Sequence, residues 1–442
     1  MEVAQKITQK ITISPEFIGP LKQKLTDLSS YREQIEQCLA QSNVTITQII
    51  EMILAGGILL DSSDVHIEGQ ENNAKLRARL DGVLQDVMSF DRKIYDPLLS
   101  RVKLLSEMKL NVSNQPQDGR FSILAGDNSV EIRVSVLPTE FGDSVVMRIL
   151  NPKSLISLDQ AGLRKDLYDI FIEQITRPNG MIIVTGPTGA GKTTTLYAFL
   201  KKLQSPKIKI ITIEDPIEYH LEGISQTQVE PDKGYDFVSG LRAIVRQDPD
   251  VILVGEIRDL ETADIALQSA LTGHLVFSTL HTNDAAGTIP RLISLGAKPF
   301  NIGPAINVAI AQRLVRRVCR KCGATKTPST KEKALLKEFL AGAAPHLAKK
   351  GVVLPAIDSR LEIPHAKGCN YCGNTGYRDR IGIYEAFVID DEIQSYILQT
   401  PTIPGLKALA KKKGMLTMYQ DGLIKVIQGV TTIEEVGRTA EK

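Results

Sequence analysis

Met181-Ile182-Ile183-Val184-Thr185-Gly186-Pro187-Thr188-Gly189-Ala190-Gly191-Lys192-Thr193-Thr194-Thr195 decides how the rest of the chain is read. The first four residues are an apolar, β-branched run of the kind buried in a strand, and they give way to a glycine-rich turn and then to helix-compatible residues. Gly186 through Thr193 fits G-x-x-x-x-G-K-[ST] without a mismatch. Each residue type has a physical reason to be there. Glycines let backbone N–H groups curl around phosphate oxygens, and the helix that follows turns the positive end of its dipole toward them. Lys192 can bridge the β- and γ-phosphates, and the Thr193 hydroxyl can hold Mg²⁺. Gly186, Pro187, Thr188, Gly189, Ala190, Gly191, Lys192, Thr193 and Thr194 are therefore read as a nucleoside-triphosphate site.

On either side of this loop, apolar strands alternate with amphipathic helices. Ile208–Ile213, Val251–Val254 and Leu275–Thr279 read as strands; Thr194–Leu203, Tyr235–Arg246, Leu260–Leu271 and Asp284–Leu295 read as helices. Such alternation predicts an α/β domain whose mostly parallel sheet carries helices on both faces. A helix over Lys165–Thr176 leads in, and a long helical pattern over Pro299–Arg317 leads out. Upstream, helical spacing from Val44 stops at Gly56-Gly57, a hairpin turns at Asp81-Gly82, and a helix covers Asp91–Met108. Strand-like pieces at Phe121–Leu124, Val130–Val136 and Ser144–Leu150 complete a small α+β domain. The division expected is residues 1–43 of unassigned role, with a short strand at Ile7–Ile13, then an α+β cap at 44–152 and the nucleotide-binding core at 153–318. A cysteine module at 319–376 and a mostly helical region at 377–442 follow. Asn151–Gly162 joins cap to core.

The chain has 442 residues, 43% apolar and 24% charged, with a net charge of +2. That balance argues against a protein that wraps nucleic acid. No signal-type apolar core opens the sequence, and the longest apolar stretch, Ile49–Leu60, is too short to span a bilayer, which points to the cytoplasm. Four of the five cysteines form Cys319-x-x-Cys322 and Cys369-x-x-Cys372, 46 residues apart. Two such pairs suit one tetrahedral zinc held by four thiolates, a closed structural site with no open position for water. Cys38 stands alone as a buried or incidental thiol.

A phosphate loop alone says only that a nucleotide is bound, so the acidic partners decide the class. Val251-Ile252-Leu253-Val254-Gly255-Glu256 is a hydrophobic strand ending in a carboxylate, where an acid that organises Mg²⁺ belongs. Ile213-Glu214-Asp215-Pro216-Ile217-Glu218 offers three carboxylates in a turn, one of which could orient and deprotonate water. His274 and His281 flank the strand LVFSTL, each at one of its ends.

In this order, the loop, ITIEDPIEY, VILVGEIRDLETA and TGHLVFSTLHTNDA resemble the secretion ATPase superfamily, the motors of type II secretion systems and type IV pili. The resemblance runs from about Ser62 to about Gly429 and takes in SSDVHIE, LRARLDG, QDGRF, EIRVSVLP, LRAIVRQDPD and AQRLVRRVC. It implies a RecA-like P-loop core with a smaller cap, ATP as the nucleotide, Glu256 as the Walker B glutamate, and Glu218 as the catalytic glutamate with Glu214 and Asp215 completing its box. It also implies functional roles for His274 and His281, and for cap arginines that stabilise charge on the transferring phosphoryl group; Arg120 and Arg133 hold those positions, with Arg242 and Arg246 second choices. The implied assembly is a homo-hexamer at an inner-membrane platform protein, cytoplasmic and peripheral to that membrane, with no direct nucleic-acid contact. A tetracysteine module resembles the assembly and secretion branch more than the retraction branch. About forty residues precede the cap, where related members carry a larger platform-docking domain, so a short variant or a truncated chain is expected. A pilus-retraction motor is the alternative, and a RecA-like nucleic-acid motor a more distant one, disfavoured by few aromatics and no tryptophan.

Overall fold

The structure is a computed structural model and describes residues 10–125, 128–152, 155–399 and 401–440. These fall into two compact units. One takes the described residues up to 152 together with Cys319–Gly323 and Ala366–Arg378; the other takes Leu155–Val318, Ala324–His365 and the described residues from Asp379 on.

The first unit is built on a seven-stranded sheet. Its strands are β1 (Lys10–Ile13), β2 (Asp64–Gly69), β3 (Asn73–Leu80), β4 (Val83–Asp91), β5 (Gln117–Ala125), β6 (Asn128–Thr139) and β7 (Gly142–Leu150), in the spatial order β1-β5-β6-β7-β2-β3-β4. Strict alternation sets its two faces. In β3, Ala74, Leu76, Ala78 and Leu80 are buried, while Lys75, Arg77 and Arg79 stand on the other face. Helices α1 (Pro15–Lys24), α2 (Leu28–Leu39), α3 (Ile46–Leu59) and α4 (Arg92–Leu105) contribute to the same core.

Two expectations change here. Residues 10–43 are not a separate segment: β1 pairs in parallel with β5, and Tyr31 and Ile35 of α2 are fully buried in the core. The Ile7–Gln9 part of the expected strand lies outside the described residues. Nor does α3 stop at Gly56-Gly57. A Cβ on Gly56 would lie 2.1 Å from the Tyr31 ring, so glycine is there to let α2 and α3 approach, and the helix runs on to Leu59.

The second unit holds β8 (Gly180–Thr185), β9 (Ile210–Glu214), β10 (Ser225–Gln228), β11 (Val251–Val254), β12 (Leu275–Leu280), β13 (Ile306–Val318) and, after a short pair β14 (Ala324–Lys326) and β15 (Ile363–His365), β16 (Tyr377–Val388). The large sheet has the order β10-β9-β11-β12-β8-β13-β16, and the pairings from β10 to β13 are parallel. Both its faces are covered, as a parallel sheet requires. Ile182 and Val184 join the core with α5 (Lys165–Ile175) and α6 (Lys192–Leu203). Met181 and Ile183 join the opposite core with α7 (Phe237–Val245), α8 (Leu260–Leu271), α9 (Thr288–Ser294) and α10 (Pro299–Ala305). The later helices α11 (Thr330–Leu340), α12 (Ala343–Lys349), α13 (Asp391–Ile397), α14 (Ile403–Lys412), α15 (Met418–Ile427) and α16 (Ile433–Thr439) extend that second core.

The helix expected over Pro299–Arg317 is two elements. Only α10 is helical; from Ile306 the chain becomes β13, inserted beside β8 with Ile306–Gln312 buried throughout. A run buried on every side carries no periodicity to separate strand from helix. The expected module at 319–376 and region at 377–442 are likewise redistributed. Both cysteine pairs belong to the first unit, residues 324–365 to the second, and most of β16 completes the sheet of the core.

Glu435 in α16 fastens the end of the chain to β13. It accepts from Arg316 Nε at 3.0 Å and Nη2 at 2.7 Å, from the Arg316 N–H at 3.0 Å, and from Arg438 Nε at 2.9 Å. Burial alone would raise its pKa, but these donors outweigh burial and hold it at about 2. A depressed carboxylate contributes stability above its unfolded value and loses it as pH falls. Glu435→Gln should therefore cost about 3 kcal/mol in urea unfolding at pH 7, a gap that closes between about pH 4.5 and 2. A gap that stays constant across that range would contradict the assignment.

Candidate active site

The site of the second unit lies at the carboxyl edge of its sheet. After Thr185 the chain leaves β8 through Gly186, with Pro187, Thr188 and Gly189 exposed at the tip and Ala190 buried beneath. Gly186, Gly189 and Gly191 have φ of +148°, +78° and +86°. Gly191 is the N-cap of α6, so Lys192, Thr193 and Thr194 form its first turn. The glycines at 186 and 191 are also required by space. A Cβ on Gly186 would lie 2.5 Å from the Gln312 carbonyl oxygen, and one on Gly191 would lie 2.8 Å from Gln312 Nε2. Gln312, buried on β13, in turn accepts from Thr195 Oγ1 at 2.7 Å. The exposed turn is the kind of cradle a phosphate fits: flexible-φ residues, a helix N-terminus and a lysine. Lys192 Nζ donates to the carbonyls of Gly186 and Pro187 at 2.8 and 3.2 Å; burial lowers its pKa, and the charge of Glu256 opposes that shift.

The strand order explains how the acids reach this loop. β12 lies between β8 and β11, and the register matches Leu280 with Thr185 and Ser278 with Val254. Side chains tie the strand ends together. Thr185 Oγ1 accepts the Thr282 N–H at 2.8 Å, Thr279 Oγ1 donates to the Gly255 carbonyl at 2.8 Å, and Ile257 N–H donates to the Thr279 carbonyl at 3.1 Å. His281 Nε2 thereby comes 3.3 Å from Glu256 Oε2. The other oxygen of Glu256 pairs with Arg258 Nη2, and Arg258 Nη1 also lies 4.0 Å from Asp215. Lys192, Glu256, Arg258 and Asp215 thus form one cluster of alternating charge beside the loop, with the His281 ring against Glu256. Glu218 lies half-buried in the turn after β9, next to Glu214.

Two of the expected residues lie elsewhere. Glu214 is buried, and its oxygens accept from Thr212 Oγ1 at 2.6 Å, Gln226 Nε2 at 3.2 Å and the Tyr197 hydroxyl. Burial raises its pKa, these donors work against the rise, and the carboxylate braces the turn instead of facing the loop. His274 precedes β12 at the amino edge, beside Gly180, with Nδ1 3.0 Å from the Ser269 carbonyl. Six strand residues, about 20 Å, separate it from His281. Gln312 and Arg258 are the additions. Gln312 lies in the stretch expected to be helical, and nothing in the local sequence sets Arg258 apart from other arginines.

Arg120 and Arg133 belong to the first unit, where they face each other across β5 and β6. The same ladder continues through Arg148 on β7, Asp64 on β2 and Arg79 on β3. Asp64 pairs with Arg148 at 3.1 Å and Arg79 at 3.2 Å, and Arg133 with Glu131 at 3.4 Å. Arg242 pairs with Glu261 at 2.6 Å in the second unit.

The first unit also gathers Cys319, Cys322, Cys369 and Cys372, whose sulfurs all lie within 4.8 Å of one another. Cys372 Sγ is 3.7 Å from Cys322 Sγ and 3.8 Å from Cys369 Sγ, and it accepts the N–H groups of Cys369 and Gly376 at 3.2 Å. A tetrahedron with metal–sulfur bonds of about 2.3 Å has edges of about 3.8 Å. Arg378 and Lys321 both lie over the Tyr371 ring, and Arg378 donates to the Leu60 carbonyl at 3.2 Å. Among the described residues no helix is long and apolar enough to cross a membrane.

With this geometry in view, residues 40–438 match the family profile described as Type II/IV secretion system protein. The chain belongs to that family. It is 40% identical over its whole length to type II secretion system ATPase E of Vibrio cholerae, covering 84% of that protein. It is 42% identical over 94% of its length to type II secretion system protein E of Pseudomonas aeruginosa, covering 80% of it. Type IV pilus assembly ATPase PilB of Thermus thermophilus is 40% identical over 92% of this chain, which spans only 44% of that longer protein. Among solved structures, Legionella pneumophila DotB matches 90% of this chain and 96% of its own with a TM-score of 0.63 at 22% identity, a likeness of fold. The pilus retraction motor PilT, solved with ADP, matches 87% of this chain and 95% of its own with a TM-score of 0.58 at 26% identity.

Gly191→Ala tests the loop directly. It forces a side chain into a left-handed backbone and against Gln312, so affinity for a fluorescent ATP analogue should fall at least about tenfold. The melting temperature should move by only a few degrees, because the strain is confined to one residue and the far end of one side chain. Unchanged affinity would show that the loop does not hold the nucleotide.

Proposed function

We propose that this chain is a Mg²⁺-dependent ATP hydrolase, the motor for assembling a type IV pilus or a type II secretion pseudopilus. The observation that carries the reading is the cluster of Lys192, Glu256, His281 and Asp215 at the mouth of a fitted phosphate loop. The names of its relatives support the assembly and secretion branch over retraction, and so does the four-sulfur cluster. In this reading the motor is a homo-hexamer, docked through an inner-membrane platform protein and peripheral to that membrane on its cytoplasmic side.

The roles follow from position. The backbone of Gly186–Gly191 and the ammonium of Lys192 bind the phosphates of ATP, and the Thr193 hydroxyl would hold Mg²⁺, which when bound neutralises charge on the β- and γ-oxygens. Thr194 lies in the same helical turn. Glu256 is held on one side by His281 and on the other by Arg258, so its oxygens are oriented before substrate arrives. Glu218 takes the proton of the attacking water, and Asp215 helps set the turn through Arg258. Arg120 and Arg133 supply guanidinium groups to a transferring phosphoryl group, of their own chain or of a neighbour.

Lys192→Ala should abolish hydrolysis and weaken nucleotide binding, whereas Glu218→Gln should keep binding and lose most turnover. Arg120→Ala/Arg133→Ala should lower turnover by roughly 10²–10⁴-fold with far less change in ATP affinity. Mixing that double variant with Lys192→Ala protein should restore activity if the arginines act across a subunit boundary. Wild-type turnover by Glu218→Gln would remove the general base from the scheme.

Zinc is the proposed occupant of the cysteine cluster. Elemental analysis should find about one zinc per chain, and Cys369→Ser should lower that content together with the stability of the first unit. Zinc-free protein from a chelator-free preparation would exclude it.

A further inference from the structure

Glu385 is a buried acid that the scheme above leaves unused. It lies on β16, one strand beyond β13, and is only 2% exposed. Its two oxygens are both engaged by backbone. Oε1 accepts the N–H of Ala285 at 2.8 Å, and Oε2 accepts the N–H of Met418, the first residue of α15, at 3.1 Å. A carboxylate at a helix N-terminus is favourable, yet placing one here costs desolvation, and burial pushes its pKa up. An apolar residue at this position would leave both buried N–H groups without an acceptor.

What the carboxylate holds is the loop that begins at His281. That loop is pinned at its start, where Thr185 Oγ1 takes the Thr282 N–H and lies 2.8 Å from Thr282 Oγ1. Within it, Thr282 Oγ1 donates to the Asp284 carbonyl at 2.8 Å, and Asp284 pairs with Lys407 at 3.7 Å. Its far end is Ala285, fully buried and fixed by Glu385. His281 is itself half-exposed, so the path of the loop decides whether its ring meets Glu256.

We propose that Glu385 is a positioning residue for hydrolysis: it clamps the loop that aims His281 at Glu256 and joins that loop to the start of α15. This rests on the ATP-hydrolase reading. It acts through His281 and touches no substrate. Replacing the carboxylate by the isosteric amide leaves one acceptor and turns an NH₂ toward the other backbone N–H, so one end of the clamp opens.

The test is a double-mutant cycle in the full-length chain with Glu385→Gln and His281→Ala, read by kcat, KM for MgATP and thermal melting. Glu385→Gln should lower kcat roughly ten- to hundredfold with KM within about twofold, as expected for loss of a hydrogen bond to a charged group. Combined with His281→Ala it should cost little more than His281→Ala alone, because both act on one element. The ring signals of His281 in histidine-labelled protein should also move in Glu385→Gln, a readout independent of turnover. Losses that multiply in the double variant, an unshifted His281 spectrum, or wild-type kcat in Glu385→Gln would each overturn the proposal. Glu385→Ala, if it fails to fold, leaves the Glu385→Gln cycle intact as the deciding comparison. A wild-type chain without ATP hydrolysis would instead overturn the hydrolase reading and this proposal with it, whereas an active wild type confines any failure to Glu385.

Discussion

A loop that must wrap an anion cannot stabilise itself, so its geometry depends on the strand beneath it. Here that strand is β8, buried on both faces and hydrogen-bonded on both edges, to β12 and β13. Everything at the site takes its position from this placement. β13 brings Gln312 against the two glycines whose side-chain-free backbone makes the turn possible. β12 brings His281, and through it Glu256, which follows β11, one strand further away. The parallel strands β8, β9, β11 and β12 all end at this edge, and β13 passes it at Gln312 on its way to Val318.

The charge arrangement follows from that edge. Four strands end in polar groups, and the charges among them alternate in sign: Lys192, Glu256, Arg258, Asp215. Alternation lets several charges share a partly buried site without any of them standing alone, which would carry a large desolvation cost. The same logic separates Glu214 from its neighbours in sequence. Three donors converge on it inside the protein, so it stabilises the turn that presents Asp215 and Glu218.

In the first unit, a different regularity dominates. Period-two alternation in five neighbouring strands stacks Arg120, Arg133, Arg148, Asp64 and Arg79 into one row across the sheet. Asp64 neutralises part of the row between Arg148 and Arg79, and Glu131 does so beside Arg133. The cysteine cluster belongs to this unit too, and its knuckle loops pack closely: a Cβ on Gly373 would lie 2.2 Å from Gln85 Oε1 of β4.

Local sequence determined what local chemistry could carry. The phosphate loop, the strands at 181–184, 251–254 and 275–279, the hairpin at Asp81-Gly82 and the ligand-like cysteine pairs all follow from backbone freedom, β-branching and spacing within a few residues. Tertiary structure decided whatever depends on a distant partner. β13 is a strand because β8 and β16 flank it, α3 continues through Gly56 because Tyr31 packs there, and residues 10–43 are core because β5 accepts β1 as a neighbour. It also sorted the site, sending Glu214 inward and His274 to the opposite edge while bringing Arg258 and Gln312 in. No window of sequence records which side chains 50 or 100 residues away will share a dielectric, and that sharing is what gives a carboxylate or an imidazole its role.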